Sequence, residues 1–162
     1  MWRKLNIKTI LKGMRFWPPY LGAGISVKYI SDDLNEIQVK MKLTPLNSNY
    51  VGVHFGGSLY SMCDPFFMFM LLHKLKKDHI VWDQAAEIQF VKPGTGTVTA
   101  KFKITDEQVE EIRKSALEQF SVKPVFECEV VDESGDTVAK MKKHLYIRRK
   151  DAKERFKSKP RE

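Results

Sequence analysis

Only two cysteines occur in the 162 residues, Cys63 and Cys128, both in apolar runs without metal-ligand spacing, which argues against a disulfide framework and a zinc site. A reduced, cytoplasmic setting is the expectation. Acidic residues are absent from positions 1 to 31, which carry six bases. The last fifteen positions add eight bases against three acids, so the net charge of +8 sits in two terminal segments and the body between is slightly acidic. Such arms suit an anionic partner such as phosphate, RNA or a membrane face. The bases lack interleaved stacking aromatics, which makes nucleic acid an unfavoured partner. Long uncharged apolar runs are missing as well. The best candidate, 59–72, contains Asp64 and Pro65 and is too short to span a bilayer. Arg3, Lys4, Lys8 and Lys12 interrupt the first residues, so a secretory signal is not expected.

What is present reads as one α+β domain. Ile7, Ile10, Leu11 and Met14 mark one face of an amphipathic helix, which Pro18 and Pro19 end, within a lead-in over 1–24. A hairpin is expected over 25–44, where Ile37, Val39, Met41 and Leu43 alternate with polar residues. A loop at 45–57 leads into a long apolar helix over 58–76. Strands follow at 80–91 and 97–104, then a short helix at 106–119 opened by a Thr105/Gln108 capping box. A last hairpin pairs 125–131 with 137–147 and closes the domain at 25–147, before a basic tail at 148–162. The pattern predicts about six antiparallel strands wrapped around the apolar helix. One sheet covers only part of such a helix, so dimerisation is expected.

The richest stretch is Asn49-Tyr50-Val51-Gly52-Val53-His54-Phe55-Gly56-Gly57-Ser58, with Asp64 six residues on. Glycines at a helix mouth allow close approach, and their amides can hold an oxyanion; they can equally serve only to turn and pack the chain. Asp64 is the lone acid between Glu36 and Asp78, inside an apolar helix. It reads either as a functional carboxylate or as a structural acceptor beside Pro65, whose ring breaks the bond to the Ser61 carbonyl. His54 reads as a general base or as a loop brace. Cys63 reads as packing, and Met62, Phe66, Phe67, Met68, Phe69 and Met70 as core, some of which could line an acyl pocket.

The motif N-x-x-G-x-H-F-G-G-S-L-Y-x-M-x-D-P-F, with W-D-x-A-A-E-I-x-F-x-K-P-G further on, resembles the hotdog-fold acyl-coenzyme A thioesterases. The likeness is to the phenylacetyl-coenzyme A type and a bacterial branch of unassigned function, over roughly Phe16 to Arg148. The resemblance implies a helix wrapped by an antiparallel sheet, homodimers joined edge to edge and often paired into homotetramers, and sites shared between subunits. It implies that an amide of Gly56 or Gly57 polarises the thioester carbonyl. Asp64 of the neighbouring subunit activates water or attacks directly, and Asn49 holds water or substrate. His54 stands one residue further from the glycines than in the common His-Gly-Gly form, and Asp83 replaces a hydroxyl residue near the carboxylate. Phe55, Ser58 and Asp83 would line the substrate site, and Arg148, Arg149 and Lys150 would meet the phosphates of coenzyme A, although a solvated tail reads as well from charge alone. No metal or redox cofactor is expected. A non-catalytic acyl- or lipid-binding protein is the competing expectation, prompted by the histidine shift and by Trp2, Phe16 and Trp17; it allows peripheral membrane contact.

Overall fold

The computed structural model describes residues 6–157; Trp2, Arg3 and Lys4 lie outside them. The chain runs α1 (Ile7–Gly13), α2 (Pro18–Ala23), β1 (Ile25–Ile30), β2 (Glu36–Lys42), α3 (Gly56–Ser61), α4 (Phe66–Leu75), β3 (His79–Phe90), β4 (Thr97–Lys103), α5 (Asp106–Glu118), β5 (Val125–Val131), β6 (Thr137–Arg149) and α6 (Ala152–Lys157). The six strands form one antiparallel sheet in the order β1-β2-β4-β5-β6-β3. Register follows hydrophobic alternation: Ile37, Val39 and Met41 on β2 pair with Phe102, Ala100 and Val98 on β4, and all six are buried. A one-residue slip would turn every one of them to the other face. The expected capping box opens α5, with Thr105 and Gln108 bonding reciprocally.

The helical segment lies against one face of this sheet, and an aromatic cluster ties the two together. Phe66 and Phe67 sit 4.9 and 5.2 Å from Phe102, and Phe67 stacks on Phe126 at 5.1 Å between ring centroids. Such pairs add about 0.5–1.5 kcal/mol beyond area burial. One side stays uncovered: Tyr60, Asp64, Met68 and Leu72 are at least partly exposed, at successive four-residue steps.

The central helix is interrupted rather than continuous. It ends at Ser61 and resumes at Phe66, because Pro65 has no N–H to offer Ser61 and its ring clashes with the preceding turn. The Ser61 carbonyl is instead met by the backbone N–H of Asp64 at 3.2 Å and the buried Tyr20 hydroxyl at 3.0 Å. Tyr20 belongs to α2, where Pro18 and Pro19 occupy the first helical positions. Those prolines therefore start a helix; α1 stops at Gly13, before a 3-10 turn over Met14–Phe16. At the other terminus β6 runs on to Arg149, and α6 with its buried Ala152 occupies part of the stretch read as a solvated tail.

Candidate active site

The break at 62–65 leaves Asp64 at a helix joint, with its side chain 43% exposed. Its Oδ1 receives two donors, the Lys143 ammonium at 2.5 Å and the Tyr60 hydroxyl at 3.2 Å. Oδ2 has no donor among the described residues. The carboxylate is thus fixed through one oxygen and leaves the other for a solvent molecule. With the Tyr20 hydroxyl on the Ser61 carbonyl, the Asp64 side chain is not what satisfies the backbone at the proline break.

Lys143 was not foreseen from the sequence. It is 1% exposed, on the core-facing phase of β6 with Met141, Leu145 and Ile147. The sequence signal was that phase, masked by the neighbouring bases Lys140 and Lys142, which do face solvent. Its ammonium also lies 3.4 Å from Oδ2 of Asp83 and 5.7 Å from the centre of the Tyr60 ring. Burial pulls its pKa down, but the bond to Asp64 and the charges of both carboxylates outweigh this and leave it raised.

Asp83 continues the inward phase of His79 and Val81 on β3 and stands directly before a bulge. Asp83 pairs with Leu145 and Ala85 with His144, so Gln84 is an extra residue opposite β6. Such a bulge re-aims the side chains beside it. Burial raises the Asp83 pKa, Lys143 opposes this, and Asp64 adds to it. One ammonium thus stands between two carboxylates of unequal burial, and Asp83 is the one that burial favours in its neutral form. Asp83→Asn is therefore expected to raise stability as pH rises. Below the ordinary carboxylate range both forms are neutral and the melting temperatures should coincide. As pH climbs through the raised Asp83 pKa the wild type alone loses stability, so the variant should melt higher at neutral pH. A gap that closes with rising pH would contradict this.

The glycines open α3 with Phe55 as its N-cap residue. A Cβ on Gly56 would lie 2.9 Å from the Phe90 ring, and one on Gly57 would collide with the Phe55 ring. Both rings are about half exposed, so the glycine mouth is walled by aromatic surface. The amides of Gly56 and Gly57 have no acceptor among the described residues, as expected for a first helical turn. Ser58 is buried next to them.

The remaining predicted residues sit apart from the Asp64 cluster. Asn49 uses its side-chain oxygen to accept from the Val51 and Val53 amides, which organises the 49–53 turn. His54 is 3% exposed; its amide donates to Gly94 and its Nε2 meets the Gly96 carbonyl at 3.2 Å. Burial lowers its pKa, and this geometry braces one loop against another. Cys63 is fully buried beside Cys128, whose hydrogen bond, together with burial, pushes the thiol pKa up. Met62, Phe66, Phe67 and Met70 are core.

Arg148 lies five residues beyond Lys143 along β6, ~17 Å at strand rise. Its guanidinium packs over Phe120, Arg149 makes a two-bond ion pair with Asp151 at 2.9 Å, and Lys150 is exposed. Among the described residues no group of His, Cys, Asp and Glu is arranged to hold a metal, and no helix is long and apolar enough to cross a membrane.

Solved structures share this architecture. A Pseudomonas aeruginosa protein of unknown function, described as a "probable thioesterase", is 15% identical with a TM-score of 0.78, over 90% of this chain and 97% of that one. A thioesterase from Haemophilus influenzae is 12% identical with a TM-score of 0.64, over 90% and 92%. The E. coli PaaI protein of the phenylacetic acid degradation operon is 18% identical with a TM-score of 0.56, over 86% and 92%. Identities this low speak for the fold alone, which is the hotdog fold expected from the motif. No curated protein matches the chain. Residues 8–147 match a family model, and the chain belongs to the family described as a domain of unknown function, DUF4442.

Proposed function

We propose that the protein hydrolyses an acyl thioester, with coenzyme A as the expected carrier and an apolar acyl group. The observation that carries this reading is the Asp64 carboxylate, held at Oδ1 by Lys143 and Tyr60 while Oδ2 is open at a partly exposed helix break. In the proposed step Oδ2 takes a proton from water as the water oxygen bonds to the thioester carbon. The carbonyl oxygen gains the negative charge and is met by the Gly57 amide. Collapse expels the thiolate, which recovers the proton, and releases the acid. Phe55 and Phe90 offer the apolar wall for the acyl group. Arg148 and Lys150 would meet the carrier's phosphates at the far end of an extended arm.

The reading includes a second copy of the chain. Gly57 and Asp64 are seven residues apart, ~10 Å by helical rise, too far for one reacting carbon to meet both from one subunit. Strand β3 is a sheet edge of twelve residues with Trp82 and Phe90 exposed. An edge of that length and character invites pairing with another copy, and two-fold packing would bring Asp64 of one subunit to Gly57 of the next.

Two measurements test this. Free thiol released from a panel of acyl-coenzyme A esters by the purified protein tests the chemistry, and no release from any ester would favour a protein that binds acyl groups without hydrolysing them. Co-refolding of Asp64→Asn with Gly57→Pro tests the shared site. Proline removes the proposed amide at a first-turn position, as Pro18 and Pro19 do in α2, and its Cβ also displaces the half-exposed Phe55 ring, which damages the same site. Each variant should be inactive alone. Random mixing makes about half the dimers mixed, each with one intact site, so recovery should approach about a quarter of wild-type activity. No recovery with mixed dimers confirmed by mass spectrometry would confine the site to one subunit.

A further inference from the structure

A second surface stands at the opposite edge of the sheet. Phe16, Trp17 and Leu21 are 71%, 51% and 61% exposed where the 3-10 turn meets α2. Leu21 donates its amide to the Trp17 carbonyl at 2.8 Å, so these two residues lie one turn apart on the same face. Between them Tyr20 points inward, 2% exposed, its ring 6.3 Å from Phe66 and its hydroxyl on Ser61. The apolar tip is therefore rigidly mounted. The Trp17 ring leans on Tyr20 at 5.4 Å between centroids, but about half of it and most of Phe16 and Leu21 stay uncovered together on a short, proline-started turn.

The ground next to the tip is basic. A groove beneath it is lined by Lys12, Arg15, Ser26, Val27, Lys28 and Lys40, with no acid among them. None of the four cations has an acidic partner among the described residues, whereas Lys8 nearby is paired with Asp32. The Arg15 guanidinium lies 5.3 Å from the Phe16 ring, which joins the charged zone to the apolar one. Lys28 occupies a bulge in β1, where the register shifts between Val27 and Tyr29. From β1 to β3 there are five strand spacings, ~24 Å along the sheet, so this surface is separate from the edge assigned to subunit pairing.

We infer that this surface docks the protein on an anionic lipid bilayer, with Phe16, Trp17 and Leu21 entering the acyl boundary and Lys12, Arg15, Lys28 and Lys40 meeting the headgroup phosphates. Charge decides against a second copy as the occupant, since two like basic grounds would face each other. Aromatic and leucine side chains beside a cluster of Lys and Arg match the pattern of proteins that lie on a membrane rather than cross it. The inference does not depend on thioester hydrolysis.

Flotation of the full chain with phosphatidylcholine vesicles, with and without phosphatidylglycerol, tests it. The protein should float with the anionic vesicles, should do so less at high salt, and should stay behind with the neutral ones. Phe16→Ser, Trp17→Ser and Leu21→Ser together should weaken partitioning at least about tenfold. Lys12→Gln, Arg15→Gln, Lys28→Gln and Lys40→Gln together should weaken it by up to about a thousandfold and abolish the preference for anionic lipid. All seven side chains are exposed, so the far-ultraviolet spectrum should be unchanged, and the melting temperature should fall only slightly in the serine variant, where Trp17 gives up its ring contact with Tyr20. Absence of flotation, or flotation unaffected by the serine substitutions, overturns the proposal. Dissociation of an oligomer by those substitutions in the absence of lipid would assign the tip to a second copy and equally overturn it.

Discussion

An Asp64→Asn variant is expected to fold as the wild type and to lose thioester hydrolysis by about 10²- to 10⁴-fold, the range for removal of a general base. The substitution is selective in this site. The amide oxygen can still accept from Lys143 and Tyr60, so the joint between α3 and α4 keeps its contacts. Only the open oxygen is replaced, by a group that cannot take a proton from water. The side chain is 43% exposed, so the new amide retains solvent, and Asp83 still faces the buried Lys143 ammonium, so the loss of stability should be smaller than the ~3–5 kcal/mol of breaking a fully buried pair. The measurement is kcat for thiol release set beside the melting temperature. Undiminished kcat in a folded variant would remove Asp64 from the chemistry.

The second large effect is expected at Lys143. Lys143→Met puts an apolar side chain of similar length at a core-facing position but leaves Asp64 and Asp83 without their shared cation. Activity should fall about a hundredfold, because Asp64 loses the shorter of the two bonds that set its orientation. Stability at neutral pH should fall by about 1–3 kcal/mol. That is below the ~3–5 kcal/mol typical of breaking a fully buried pair, since Asp64 can rehydrate and Asp83 can take a proton. For the same reason the loss should shrink as pH falls. The double variant Lys143→Met, Asp83→Leu removes the stranded buried carboxylate and should recover within ~1 kcal/mol of wild type by denaturant unfolding, yet regain none of the lost activity. A stable, active double variant would show that the lysine serves packing alone.

The Lys143 case also shows where sequence reading stops. Strands β2 and β4 were legible because one face of each is buried and the other solvated, so their residues alternate strictly. Asp64 stood out as one charge in an apolar stretch. Lys143 carries a charge among other charges, and only the strand's phase, visible once Met141, Leu145 and Ile147 are known to face inward, separates it from its neighbours. Its partners are 79 and 60 positions away in sequence, and no local pattern connects them. The apolar run 58–76 reads as one helix with a single bond lost at Pro65; the break there depends on a hydroxyl supplied from Tyr20, again far along the chain. His54 and Asn49 drew notice for their chemistry, and the structure gives both of them loop contacts.

The Tyr20 contact bears on how freely the start of this chain could be exchanged. A sheet and central helix bounded at Ile25 form a complete fold on paper, and an N-terminal graft at that point resembles a harmless swap of modules. The Ser61 carbonyl says otherwise: without Tyr20 the bend that carries Asp64 loses one of its two donors at a part-buried position, at a cost of up to about 1–3 kcal/mol. A recombinant that substitutes another leader before Ile25 would therefore inherit its defect at residue 61 rather than at the splice. Drift at position 20 is constrained in the same way, with phenylalanine preserving the ring's packing and still stranding the bend.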